Sequence, residues 1–289
     1  MLLTVDYAAP DAAGRLCRSM HETGFGVLVG HPLSNAAVLA ICDEWRAFFA
    51  TSAKDAYRHA DGGQDGYFPP PEPEAATGGV VRDRKEFFHV CPGGRYPREV
   101  SQAALDYYTA ARGLAATLLR WLEAGTPART ARRWPMPLAE MIDGRTGTML
   151  RIQHYLPLTS QQAPGSVRAL AHEDINLITL LPAPTDPGLQ VWGPDGAWHD
   201  IPHDTPSLIV NGGEMLQLLT DGYYPATRHR VVSPDSAQHR GSRFSMPLFV
   251  HPAGDVVLAP GRTAATFLQE RVEALRQKGW AVAPGGRSG

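Results

Sequence analysis

The sequence predicts a mainly β protein: a β-sandwich or jelly-roll barrel with flanking helices, preceded by an α/β region and followed by one helix. Three observations carry this. From Thr148 onward the chain breaks into short apolar runs separated by turn residues, TMLRIQHYL, VRALAHEDINLITLL, GLQVW, PSLIV, EMLQLLT, RHRVVS and RFSMPLFV, and runs of this length and spacing read as strands. Before Thr148 the apolar residues recur mostly at intervals of three and four, the helical period. Beyond Pro260, Ala264, Leu268, Val272 and Leu275 line one face of a helix that stops at Gly279.

Taken in order, residues 11–25 hold a short amphipathic stretch with Leu16 and Met20, and Gly24 to Val29 (GFGVLV) reads as a buried strand. Ser34 is placed to cap a helix whose Val38, Ile41, Trp45 and Phe48 pack inward as far as Thr51. Asp61 to Gly79 is crowded with Gly and Pro, which fits a loop or a movable cover. Pro97 to Ala124 contains no internal proline and carries Leu105, Tyr108, Ala115, Leu118 and Leu122 near helical period, so a long helix is expected to support the later half. The chain thus divides into an N-terminal region (1–145), a strand-rich core (146–255) and a C-terminal helix and tail (256–289), expected to form one compact unit.

The 289 residues are 43% hydrophobic, enough for a substantial core, and 27 Lys+Arg against 29 Asp+Glu leave a net charge of −2. No global positive field draws the chain to nucleic acid, which favours a small-molecule partner. No stretch is apolar enough to span a membrane, and MLLTVDYAAPDAA has neither a charged n-region nor an apolar h-region, so a cytoplasmic location is expected. Cys17, Cys42 and Cys91 are widely spaced and odd in number, which predicts reduced thiols. No G-x-G-x-x-G or Walker A motif suggests a nucleotide cofactor.

The chemistry begins at His172-Glu173-Asp174. On a strand, residues two apart share a face, so His172 and Asp174 can bind one metal, and the run Ile175 to Leu181 is expected to hold both at a strand end. A second H-x-D, His59-Ala60-Asp61, lies against GGQDG and reads as a solvated turn. His229, opening the strand RHRVV, is the natural third ligand. Two His and one carboxylate leave three positions open, the arrangement of non-haem Fe(II) oxygenases. Fourteen residues later, Arg243 and Ser245 share a face of RFSMPLF while Phe244 takes the other. An inward Arg in an apolar barrel is costly unless it meets an anion, and its planar fork suits a carboxylate.

These motifs, together with GFGVLVGHPL, GYFPP, KEFFHV, GLQVW and IVNGGEMLQLLTDG, make nearly the whole chain resemble the isopenicillin N synthase-like Fe(II)/2-oxoglutarate-dependent oxygenases. The resemblance implies a double-stranded β-helix core, iron held by His172, Asp174 and His229, and the distal carboxylate of 2-oxoglutarate held by Arg243 and Ser245. The stretch Arg151-Ile152-Gln153-His154-Tyr155-Leu156-Pro157 is similar to the family's R-x-N-Y-Y-P segment. Tyr155 would then assist the cosubstrate, Gln153 replaces the usual Asn, and His154 is expected to be a packed barrel histidine rather than a ligand. The implied reaction consumes dioxygen and 2-oxoglutarate, releases succinate and carbon dioxide, and oxidises an unactivated C–H bond by hydroxylation, desaturation or ring formation.

Family position points to Tyr67, Arg82, Arg84, Phe87, Phe88, Arg151, Arg168, Asn176 and Trp192 as the substrate pocket. Surplus arginines favour an anionic substrate, an amino acid or a natural-product intermediate of bacterial specialised metabolism. The Pro/Gly-rich segment Gly62 to Gly79 and the C-terminal helix are the expected covers over the site, and a monomer is slightly favoured. The Arg-x-Ser pair could instead bind a substrate carboxylate in a 2-oxoglutarate-independent oxidase or cyclase of the isopenicillin N synthase type. The same ligands could also serve a zinc hydrolase, or a barrel that only binds.

Overall fold

The computed structural model describes residues 2–60, 63–70, 85–144, 146–157, 167–183, 187–201, 206–232 and 241–277. The N-terminal part runs β1 (Thr4–Asp6), α1 (Ala12–Thr23), β2 (Phe25–Val29), α2 (Asn35–Phe49), β3 (Gly66–Phe68), β4 (Lys85–Val90), α3 (Ala103–Gly125) and the single turn α4 (Ala128–Ala131). The strand-rich part follows as β5 (Met149–Tyr155), β6 (Val167–His172), β7 (Ile178–Pro182), β8 (Leu189–Trp192), β9 (Trp198–Asp200) and β10 (Leu208–Gly212). After α5 (Glu214–Leu219) come β11 (His229–Val232), β12 (Arg243–Ser245) and β13 (Leu248–Val250), then the hairpin β14 (Val257–Ala259) and β15 (Arg262–Thr263), and α6 (Ala264–Gln277).

Local chemistry explains the boundaries. The Ser34 hydroxyl accepts a hydrogen bond from the Ala37 N–H at 3.2 Å and starts α2. Gly24 ends α1 at φ 70°, its N–H donating to Met20 O, and a Cβ there would lie 2.5 Å from Pro225 O. Two expected strands differ. EMLQLLT is the helix α5, because Met215, Leu216 and Leu219 bury one helical face, a spacing that a pleated strand would split between two sides. RFSMPLFV is broken into β12 and β13 at Met246-Pro247: proline has no N–H for the ladder, while its carbonyl still accepts from Arg151 N at 2.9 Å. Of the expected Gly/Pro-rich cover, Gly66–Phe68 is a strand, and residues 61–62 and 71–84 lie outside the described residues, as does Gly279.

The strands form a large sheet ordered β1-β2-β10-β7-β13-β5-β4-β3, with β12 also paired to β5, and a small sheet ordered β6-β11-β8-β9. This is the expected mainly β architecture with helices on one side. Alternation along each strand decides which layer a side chain serves. On β5, Leu150 and Ile152 join the core under α1, α2 and α3, where Leu16, Trp45, Phe88 and Leu118 are completely or almost completely buried. Each such large apolar side chain contributes about 1.5–3 kcal/mol. The opposite face looks across to the small sheet. There Phe25 and Ile209 pack against Ala169, Leu189, Val191 and Val231, closing one end of the space between the sheets. Cys17, Cys42 and Cys91 are free thiols. Among the described residues no helix is long and apolar enough to cross a membrane.

Candidate active site

His172, Asp174 and His229 converge at the open end of that space. One ligand atom from each lies within 4.8 Å of the others, and Asp174 Oδ1 is 3.8 Å from Nε2 of both histidines. The convergence has a different origin from the one expected. His172 is the last residue of β6, Asp174 lies beyond it, and β7 begins only at Ile178, so the pair is not two rungs of one strand. A turn returns the Asp174 carboxylate toward the histidines, and α5 anchors it: Glu214 N donates to Asp174 O at 2.7 Å. His229 faces His172 directly in the β6–β11 register.

The remaining polar atoms of the trio are already engaged. His172 Nδ1 is 2.7 Å from Leu170 O and His229 Nδ1 is 3.1 Å from Thr227 O, so both rings donate from Nδ1 and turn Nε2 toward the cluster. Asp174 Oδ2 accepts from Thr179 Oγ1 at 2.6 Å and from Asn211 Nδ2 at 2.8 Å, leaving Oδ1 toward the histidines. Burial by itself would raise the Asp174 carboxyl; the two histidines and these hydrogen bonds outweigh it and hold the group below its ordinary range. Burial, with His229 adding to it, pushes His172 down to about 4. The trio therefore presents two imidazole Nε2 atoms and one carboxylate oxygen to a common point, the donor set a divalent metal takes.

Arg243 and Ser245 stand opposite Tyr155 and Gln153 in the β12–β5 register, so all four side chains enter the space between the sheets. Arg243, Tyr155 and Gln153 are buried, and Arg243 Nη1 donates to Pro187 O at 3.1 Å. On the other face of β5, His154 stacks between Phe49 and Phe244 and bonds Glu86 at 2.9 Å, a packed histidine.

Of the expected substrate residues, the structure brings Phe87 and Arg151 to this space. The Arg151 guanidinium lies 4.7 Å from the centre of the Phe87 ring. Tyr67 and Phe88 are elsewhere. Paired with each other in the β3–β4 register, both turn into the helix-facing core, where Tyr67 donates to Glu86 at 2.7 Å. Trp192 points off the outside of the small sheet against Trp198, since its neighbour Val191 takes the inward position. Asn176 is a brace rather than a contact: its amide donates to Thr179 Oγ1 at 2.8 Å. Arg168 is buried where the β6–β11 register slips between Ala169 and Val167. Arg82 and Arg84 lie outside the described residues. Sequence reasoning missed Thr179 and Asn211, which orient Asp174, and His89, Phe249 and His251, which line the wall. For His89 the signal existed, since it lies two residues from Phe87 on one strand and so shares its face.

The 2OG-Fe(II) oxygenase superfamily model matches residues 147–252, the segment that carries all of these groups. A Shewanella oneidensis protein of known structure, assigned as an oxygenase, is 44% identical over 97% of this chain and 99% of its own, with a TM-score of 0.86. The chain belongs to the 2OG-Fe(II) oxygenase superfamily. A 2OG-Fe(II) oxygenase family protein from Caulobacter crescentus is 29% identical across 95% of this chain and 99% of its own, with a TM-score of 0.77. The gibberellin 2-beta-dioxygenase of Phaseolus coccineus is 26% identical over 266 residues, 89% of this chain and 78% of its own. The protein is thus an enzyme of the double-stranded β-helix fold, using Fe(II) and 2-oxoglutarate. The 2-oxoglutarate-independent alternative is not favoured, since the superfamily model and the relatives aligned along most of the chain are 2OG-Fe(II) oxygenases and dioxygenases.

In this oxygenase α6 is docked rather than free. Phe267 and Val272 are buried, and the Arg271 guanidinium grips Glu214, the residue whose N–H holds Asp174 O. The C-terminal helix therefore braces the metal-cluster loop from behind.

Proposed function

We propose that the oxygenase oxidises an unactivated C–H bond, by hydroxylation, desaturation or ring formation, of a small carboxylated molecule, an amino acid or a natural-product intermediate, with His172 Nε2, Asp174 Oδ1 and His229 Nε2 as the iron ligands. The observation that carries this is the three-atom convergence, in which every other polar atom of the trio is bonded to the protein. Bound Fe(II) would supply dioxygen activation coupled to decarboxylation of 2-oxoglutarate. Arg243 would take the distal carboxylate of 2-oxoglutarate in charge-assisted hydrogen bonds, with Ser245 adding a hydroxyl and Tyr155 and Gln153 shaping the wall. Thr179 and Asn211 keep the Asp174 carboxylate turned, and the apolar floor of Phe25, Val191 and Val231 excludes water beneath the cluster.

The test is anaerobic titration of the metal-free protein with Fe(II) and then 2-oxoglutarate, watching for the weak visible charge-transfer band of the chelate. Its appearance in the wild type and loss in His172→Ala supports the assignment. Iron binding without the band would overturn the cosubstrate site. A screen of amino acids and related acids for stimulated succinate release then identifies the substrate.

A further inference from the structure

Resting on that reading, we propose that Arg151 is the receptor for a carboxylate of the substrate, held in aim by His89. Arg151 projects from β5 on the same face as Gln153 and Tyr155. Its Nε donates to His89 Nε2 at 2.8 Å, and the other ring nitrogen of His89 meets Gln64 O at 2.6 Å. That pairing fixes the tautomer: His89 is neutral, donates from Nδ1 to the backbone and accepts from Arg151. The guanidinium also lies 4.7 Å from the Phe87 ring centre and 4.8 Å from that of Phe249. Three neighbours therefore restrain a side chain that ordinarily carries about 2 kcal/mol of rotamer freedom.

What those neighbours leave is the outer edge. Among the described residues, neither Nη1 nor Nη2 of Arg151 has a hydrogen bond, and no carboxylate pairs with it. Arg151 is half-buried, with its outer nitrogens open toward the cleft, and this partial burial lowers its pKa to about 10. The two free nitrogens form the fork that meets a carboxylate bidentately. The fork sits beside the metal cluster: Phe249 is opposite Thr179 in the β13–β7 register, Thr179 bonds Asp174, and the Asp174 charge acts on Arg151. Arg243 enters four residues further along β5, about 13 Å away at the backbone. Two separate cations thus serve one cleft, one for each acid.

The experiment uses the Fe(II)/2-oxoglutarate-loaded protein under anaerobic conditions and titrates acetate and benzoate against acetamide and benzamide, by calorimetry and by the shift of the charge-transfer band. At least one acid is expected to bind tenfold or more tightly than its amide, about 1.4 kcal/mol. Arg151→Gln should collapse this preference to within about twofold while leaving the 2-oxoglutarate affinity within about twofold, and Arg151→Lys should keep part of it. His89→Gln should weaken the preference without moving 2-oxoglutarate binding, the signature of a positioning residue. Equal binding of acid and amide, no binding of any probe, or a preference that survives Arg151→Gln would overturn the proposal. So would a tenfold loss of 2-oxoglutarate affinity in Arg151→Gln, which would give Arg151 to the cosubstrate. Absence of the band in the wild type would be a failure of the metal and cosubstrate assignment instead.

Discussion

His172 and His229 face one another across an antiparallel register with ring centres 4.3 Å apart, and each ring is turned by a hydrogen bond to the carbonyl two residues before it, Leu170 and Thr227. The same local device on two strands presents two Nε2 atoms to one carboxylate oxygen. On the proposed assignment, replacing any of the three removes a coordinating atom, and His229→Ala also removes an edge contact with Phe25 in the apolar floor. His172→Ala, Asp174→Ala and His229→Ala are each expected to abolish stoichiometric Fe(II) binding by calorimetry while the fold is retained. Full activity in His229→Ala would refute the assignment.

Gly213 tests the loop rather than the ligands. A Cβ there would lie 2.2 Å from Asn176 O and 2.4 Å from Asn176 Oδ1, and Asn176 holds Thr179, which holds Asp174. Gly213→Ala should weaken iron binding about 10- to 100-fold although the residue touches no ligand. Unchanged affinity would show that the loop absorbs the methyl group.

On the proposed assignment, Arg243→Ala removes charge-assisted hydrogen bonds to the cosubstrate, each contributing about 1.5–3 kcal/mol. The 2-oxoglutarate dissociation constant should rise about 10- to 100-fold with iron affinity unchanged. Titration of the charge-transfer band reads both quantities in one cuvette.

Buried histidines, His172 at the cluster and His251 and His89 in the wall, set a pH dependence in the metal-free protein. Burial lowers His251 from 6.5 to about 4 and His89 well below its ordinary value. Near neutral pH these three are neutral in the folded chain, whereas the unfolded chain takes up their protons near pH 6.5. Stability is therefore full above about pH 6.5 and is lost as pH falls toward about 4. Melting curves of the metal-free protein across that range should show the decline, and His251→Phe should flatten it by about one proton.

Behind the sheet, Glu86 accepts from Lys54 at 2.9 Å, Tyr67 at 2.7 Å and His154 at 2.9 Å, and its side chain is only 4% exposed. Glu86→Ala strands all three partners and should cost about 3–5 kcal/mol in denaturant unfolding. An equal loss in Glu86→Gln would argue for charge over hydrogen-bond count.

Much of the site was legible because its chemistry is carried by residue type and short spacing. The His-x-Asp pair, the later His and the Arg-x-Ser pair are recognisable without coordinates, and Ser34 and the Val38–Phe48 stripe announce α2 by local capping and period alone. The shared face of Arg243 and Ser245 likewise follows from strand alternation. Alternation states that neighbours point to opposite faces; it does not say which face meets the metal. That choice belongs to the layers: the helices claim Tyr67 and Phe88, so Phe87 and His89 are left for the cleft. Residues distant in sequence, such as Thr179, Asn211 and Phe249, gain their roles only from strand register. Residue types and short spacings were enough to nominate the groups proposed to hold iron and acid. The neighbours that orient those groups follow only from the packed layers, because a hydrogen bond depends on where two chain segments meet and not on the order in which they are joined.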